Sequence, residues 1–203
     1  MTLTNIKKPI IVHGDDSKEK LGLVHVITGD GKGKTTSALG LALRAVGNNL
    51  RVGMVQFLKS GFTGEIYSAK KLGFEIEQFG VDAVKEKQKN LKEFSDKTAR
   101  FVFQPDIEER GAALQGWEHA KKMINSADYD LVIMDEINCV LAKDLIPLHE
   151  VLDVIKDHGK VELIFTGRDA PKEVMHYADY VNIVTNVKHP WQKGIIARKG
   201  IEY

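Results

Sequence analysis

The stretch ITGDGKGKTTSALGLALRAVG, residues 27–47, passes from an apolar strand end through Gly29, Gly31 and Gly33 into a segment of helical period. A strand that feeds a helix through so short a loop belongs to a crossover unit, and such units are right-handed. The rest of the chain keeps that rhythm. Apolar runs at 21–27, 51–58, 74–79, 130–136, 160–167 and 179–185 read as strands buried on both faces. Between them, Leu39, Ala42, Leu43 and Val46 recur at helical spacing, as do Ala113, Trp117, Ala120 and Ile124, and Leu148, Val151, Leu152 and Ile155. Strand alternating with helix predicts an α/β fold in which a mostly parallel sheet carries helices on both faces. At 203 residues a single domain is expected.

Two stretches break the alternation. Residues 1–20 are polar and read as an N-terminal arm before a domain over 21–203. Residues 80–106 are rich in both charges and are longer than the usual connection inside a compact domain. They read either as a lid that ligand closes or as a surface helix, since Val84, Leu91 and Phe94 fall near one helical face.

The glycine-rich loop carries chemistry. The ordinary phosphate loop is Gly, four residues, then Gly-Lys-Ser/Thr; counting back from Gly33-Lys34-Thr35 puts Thr28 where the first glycine belongs and Gly29 one place late. The ring of backbone amides is therefore smaller than usual. Gly29, Gly31 and Gly33 permit positive φ and close approach to phosphate, and the next helix offers N–H groups and a positive dipole end. Asp30, Lys32 and Thr36 lie in the same run, Lys34 adds a point charge, and Thr35 offers a hydroxyl to Mg²⁺ riding on the phosphates of ATP. A second element supports the first: the apolar run LVIMDE ends in Asp135 and Glu136, where carboxylates of a parallel sheet reach the ligand crevice. They would hold Mg²⁺ directly or through water, or else cap the next helix. Together the two elements predict a phosphate-loop NTPase architecture of RecA-like type.

Composition removes several classes of partner. Lys and Arg total 29 against 28 Asp and Glu, so no net field draws nucleic acid or an anionic membrane. The one cysteine, Cys139, excludes an internal disulfide and a thiolate cluster. No apolar run approaches the ~20 residues that span a bilayer, so a soluble, cytoplasmic protein is expected. The seven histidines show no metal-ligand spacing.

TGDGKGKTTSALGLALRAVG, VQFLKSG, DYDLVIMDEIN, FTGRDAP and the tail VKHPWQKGIIARKGIEY resemble, in that order, the ATP:corrinoid adenosyltransferases of the bacterial vitamin B12 pathway. The resemblance spans about residues 21–79 and 101–203, and the shortened loop is itself a family feature. It implies transfer of the 5′-deoxyadenosyl group of ATP to Co(I) of a reduced corrinoid such as cobalamin, with ATP lying reversed and tripolyphosphate leaving intact. Lys34, the loop amides, Mg²⁺ and the cations Lys32, Arg44 and Arg168 would stabilise charge on the leaving oxygen. His189 lies in the family tail. The family's Phe-x-aromatic pair, which covers one face of the corrinoid, corresponds to Phe101 and Phe103, although the same spacing is that of an edge strand's buried face. A homodimer and an electron donor such as a flavoprotein are implied as well.

Three features depart from the family pattern: about twenty extra residues near 80–99, Cys139 where relatives often have Tyr, and PWQKG in the tail. Two other classes share the loop and the acidic strand. One is an ATPase or kinase in which Glu136 activates water or a hydroxyl. The other is a binding module whose loops respond to nucleotide.

Overall fold

The computed structural model describes residues 18–61, 63–81 and 107–203. Six strands, β1 (Val24–Thr28), β2 (Val52–Phe57), β3 (Glu75–Phe79), β4 (Leu131–Asp135), β5 (Glu162–Thr166) and β6 (Tyr180–Ile183), form one sheet in the order β3-β2-β4-β5-β1-β6. Every pairing is parallel. The helices are α1 (Lys34–Gly47), α2 (Gly64–Leu72), α3 (Ile107–Asn125), α4 (Ile137–Ala142), α5 (Leu148–Lys156) and α6 (Lys172–Tyr177). Among the described residues no helix is long and apolar enough to cross a membrane.

Alternation along the central strands divides the core in two. Val26, Val55, Phe57, Val132, Met134, Leu163 and Phe165 pack with Trp117 of α3, Ile137 of α4, Val151 of α5 and Val174 of α6. Ile27, Met54, Ile133 and Ile164 point the other way, onto Ala38, Ala42 and Ala45 of α1 and Ala69 of α2. The expected stripe on α1 is thus displaced. Its small side chains meet the sheet and allow close approach, Leu39 and Val46 pack at the margin, and Leu43 is 56% exposed.

The strands lie where the apolar runs place them, but two are not buried on both faces. All four residues of β6 are exposed, and β3 is only partly covered. Both stand at sheet edges with a single neighbour, so helices cover them incompletely. Tyr180 of β6 instead stacks on His25 of β1, with ring centroids 4.5 Å apart.

Charged clamps close the amino edge of the sheet. The Asp130 carboxylate accepts from Arg51 and from Lys18, which sits in a short 3₁₀ turn at Lys18–Lys20 and anchors the last residues of the predicted arm. Glu162 bonds the His25 ring at 2.7 Å and accepts from the Gly22 and Leu23 amides at 2.9 Å. The rest of the arm, and residues 82–106 of the predicted insertion, lie outside the described residues.

At the opposite edge the order of strands decides what can meet. β5 stands between β1, which leads into the glycine-rich loop, and β4, which ends in the acidic pair. Register sets Ile27 beside Thr166 and Gln56 beside Asp135, so one row of polar side chains lines the carboxyl ends of neighbouring strands.

A candidate nucleotide site at the carboxyl edge of the sheet

The loop between β1 and α1 takes its shape from the segment that follows β6. Val184 donates its N–H to the Thr28 carbonyl at 2.7 Å, and its own carbonyl accepts from the Gly31 N–H at 2.8 Å. The approach excludes side chains. A Cβ on Gly29 would lie 2.5 Å from the Val184 oxygen, and one on Gly31 would lie 2.8 Å from the Thr185 carbonyl. Gly29 and Gly33 have φ of 103° and 127°, whereas Gly31 does not share the expected positive φ; close packing is what its lack of a side chain serves. At Gly33 nothing lies within 4 Å of where a Cβ would stand, so that side of the loop is open.

Helix α1 begins there with no side-chain cap. The N–H groups of its first turn have no intrahelical acceptor, which makes this end receptive to an anion. Lys34 is buried and curls back to donate to the Gly31 carbonyl at 2.7 Å. Burial lowers its pKa from the ordinary lysine value; Glu136 opposes that shift and Arg168 adds to it, which sets both residues within electrostatic reach of the ammonium.

Asp135 is the hub of the acidic side. It is fully buried and accepts four hydrogen bonds: from Thr35 Oγ1 at 2.8 Å and Thr166 Oγ1 at 2.6 Å on Oδ1, and from Gln56 Nε2 at 3.2 Å and Lys59 Nζ at 2.5 Å on Oδ2. A carboxylate has about four lone-pair sites, so Asp135 is saturated as it stands. Gln56 is itself held by Gln78, whose amide donates to Gln56 Oε1 at 2.9 Å, and it donates to Glu65 of α2 at 3.1 Å.

Glu136 differs. Its backbone is left-handed, with φ of 66°, and Thr166 Oγ1 accepts its N–H at 3.0 Å. Cys139 donates its thiol to Glu136 Oε2 at 3.0 Å and accepts from the Arg168 N–H at 3.2 Å. Burial, with the neighbouring Glu136 carboxylate, pushes the Cys139 thiol up to about 12, so it remains a donor at neutral pH. Glu136 Oε1 has no bonded partner among the described residues. The Thr35 hydroxyl and this carboxylate are hard oxygen donors of the kind Mg²⁺ takes, with Asp135 behind them. Among the described residues no three His, Cys, Asp or Glu side chains converge on one point, so a cation here would draw other ligands from substrate oxygens or water.

The remaining predicted residues do not all gather at the loop. Asp30, Lys32 and Thr36 are exposed around the loop; Asp30 accepts from the Asn186 N–H at 3.1 Å, and Lys32 pairs with Glu202 at 2.8 Å. Arg198 and Lys32 hold the Glu202 carboxyl well below the ordinary range. Arg168 is exposed at the crevice, by the end of β5. Arg44 is exposed near the far end of α1, about 15 Å along the axis from its start, where its carbonyl accepts from Asn48. His189 is turned to a local task, capping the 3₁₀ turn Pro190–Lys193 by accepting from the Trp191 N–H at 3.2 Å. Phe101 and Phe103 lie outside the described residues.

Gln56, Lys59, Thr166, Val184 and Glu202 carry no role that the sequence alone shows, and Cys139 stands out there only as a departure from the family pattern. Two of the short runs already singled out, VQFLKSG and FTGRDAP, hold the first three. A polar residue closing an apolar strand was the available signal.

The profile of the family described as ATP:corrinoid adenosyltransferase BtuR/CobO/CobP matches residues 20–203. The corrinoid adenosyltransferase of Escherichia coli K12 is 32% identical over 98% of this chain and 94% of its own. Salmonella typhimurium corrinoid adenosyltransferase CobA is 34% identical over 92% of this chain and 88% of its own, and the Pseudomonas aeruginosa corrinoid adenosyltransferase is 31% identical over 92% and 86%.

Proposed function

The chain belongs to the ATP:corrinoid adenosyltransferase family, and on that premise we propose that it transfers the 5′-deoxyadenosyl group of MgATP to Co(I) of a reduced corrinoid such as cobalamin. The observation that carries the site assignment is the uncapped start of α1, open at Gly33 and flanked by buried Lys34 and Asp135. A triphosphate seated there with its γ-phosphate in the shortened loop would turn its ribose 5′-carbon outward, toward a nucleophile in the crevice.

In the reaction the electron pair of Co(I) forms the Co–C5′ bond, the C5′–O bond breaks, and its pair leaves on the oxygen of an intact tripolyphosphate. The nucleophile is the substrate's own metal, so the chain need supply no base. Its part is alignment and charge stabilisation. Lys34 would exchange the Gly31 carbonyl for phosphate oxygen, the first-turn amides of α1 would hold the same group, and Arg168 would face the leaving charge from the rim. Mg²⁺, held by Thr35 and Glu136 with Asp135 behind, would neutralise part of the triphosphate charge. Glu202 on Lys32 and Asn186 on Asp30 support a loop fixed by the tail rather than by the ligand.

On this reading Phe101 and Phe103 cover one face of the corrinoid, a flavoprotein supplies electrons, and the enzyme works as a cytoplasmic homodimer. The deciding experiment is product analysis with ATP and chemically reduced corrinoid. Intact tripolyphosphate formed one-for-one with adenosylated corrinoid is the expected result. Orthophosphate or ADP without alkylated cobalt would assign the site to hydrolysis or kinase chemistry, and no product would leave a binding module.

A further inference from the structure

Four groups saturate Asp135, and they are not equally able to leave. Gln56 and Thr166 are fully buried, and Thr35 is fixed in the first turn of α1. Lys59 is different: its side chain is 27% exposed, on a long flexible stem that reaches Asp135 from the loop after β2. That loop is built for the purpose. Leu58, immediately before it, is left-handed at φ 56° and donates its N–H to the Phe79 carbonyl at 2.9 Å. The Lys59 backbone lies so close to Gly80 that a Cβ there would stand 2.6 Å from the Lys59 nitrogen and oxygen, and Ser60 Oγ donates to the Val81 carbonyl at 2.9 Å. Left-handed backbone at a half-buried leucine needs such over-determination to persist. Its result is an ammonium only one carboxylate's width from the Thr35 hydroxyl.

We propose that Lys59 is the exchangeable counter-ion of Asp135: it occupies Oδ2 in the empty site, keeps a divalent cation from settling there alone, and yields when a triphosphate brings the cation in. The idea rests on the reading of this site as the MgATP site. A cation arriving at Thr35 without phosphate meets a carboxylate already neutralised, beside the positive charges of Lys59, Lys34 and Arg168. With phosphate present, the added negative charge draws Lys59 off, and Oδ2 becomes available to the metal or to a water in its shell. Lys59 is thus a positioning residue that acts through Asp135 and makes metal binding conditional on substrate.

The test is Mn²⁺ binding, followed by the electron paramagnetic resonance of free Mn²⁺, with and without tripolyphosphate. Lys59→Met, checked by thermal melting, should bind Mn²⁺ about tenfold or more tightly than wild type when no phosphate is present, as expected for a like charge removed about 5 Å from the ion. Tripolyphosphate should close the gap, and Lys59→Arg should match wild type. Lys59→Gln keeps a donor to Asp135 without the charge and gives the same reading if the Met variant does not fold. Equal affinity of wild type and both neutral variants without phosphate overturns the proposal, as does a gain that survives adding Asp135→Asn. If tripolyphosphate fails to raise Mn²⁺ affinity even in wild type, the MgATP reading falls with it. A normal wild-type response with no gain in the variants removes Lys59 alone.

Discussion

Two glycines four residues apart in one loop, Gly29 and Gly33, should fail in opposite ways. At Gly29 an alanine meets both penalties: a φ of 103°, and a Cβ 2.5 Å from the Val184 oxygen. The strain is worth ~1–3 kcal/mol. Relieving the overlap moves Val184, whose two backbone bonds, to Thr28 and from Gly31, contribute about 1 kcal/mol each. Gly29→Ala should therefore destabilise by roughly 3–5 kcal/mol, which in a chain of this size lowers Tm by about 10 °C. At Gly33 the φ of 127° brings a similar strain, but nothing lies within 4 Å of the new Cβ. Gly33→Ala should lose only about 1–3 kcal/mol. Yet its methyl would stand on the open side of the loop, where a phosphate must approach. Calorimetric melting with and without tripolyphosphate separates the two effects, because ligand at a hundred times its Kd adds about 2.7 kcal/mol to a competent site. Gly33→Ala should melt closer to wild type and lose that increment, whereas Gly29→Ala should melt low before any ligand is added. If Gly33→Ala falls as far as Gly29→Ala, or Gly29→Ala melts like wild type, the role given to Val184 is wrong.

Other perturbations probe the remaining parts. Lys34→Ala should lower adenosyl transfer about a hundredfold or more with pre-reduced corrinoid, the scale of one preorganised donor, and near-normal turnover would refute its contact with the triphosphate. Glu136→Gln should weaken the Mg²⁺ dependence of the rate as well as the rate; an unchanged Mg²⁺ titration beside abolished orthophosphate release would instead mark a hydrolytic base. Thr166→Val removes the donor to Asp135 and the acceptor of the Glu136 N–H, costing about 1–3 kcal/mol in urea unfolding, while Thr166→Ser should restore both. For Glu162, burial favours the neutral acid, but His25 and the Leu23 and Gly22 amides outweigh it, and the pKa is lowered in the fold. Its stabilisation is therefore present above the unfolded value of 4.5 and lost as pH falls below it, so Glu162→Gln should flatten the acid limb of stability against pH. An acid limb equally steep in the variant would show that another carboxylate governs it.

Much of this architecture is legible in the chain because it rests on local pattern. The apolar runs that become β2, β4 and β5 are sandwiched between helices, so every residue in them is apolar or paired and the strands announce themselves. β3 and β6 are equally visible as runs, but nothing in their composition says that they stand at the edges; that depends on strand order, which is set by the whole sheet. The shift of the α1 stripe onto Ala38, Ala42 and Ala45 has a similar cause, since closeness to the sheet, not hydrophobicity, selects which face is buried. In the site, Lys34, Thr35, Asp135 and Glu136 sit in motifs whose spacing carries their chemistry. Gln56, Lys59 and Thr166 join them only because β5 lies between β1 and β4 and β2 flanks β4, a fact of topology that no short window contains.

The bond between Val184 and the loop has a consequence for how the protein is made. Asp30 and Asn186, which flank the same contact, are 156 residues apart in sequence. During synthesis the glycine-rich run, α1 and the first five strands emerge before β6 and the segment behind it that gives the loop its form. Domains assemble largely in order of emergence, and contacts of such long separation close late. If the loop holds the triphosphate as proposed, nucleotide binding is a property the nascent chain acquires only after β6 has docked, and ribosome-bound intermediates ending before Val184 should pass over ATP-agarose unretained while the released chain is captured. The motif that is read first in the sequence is among the last parts of the protein to become a site.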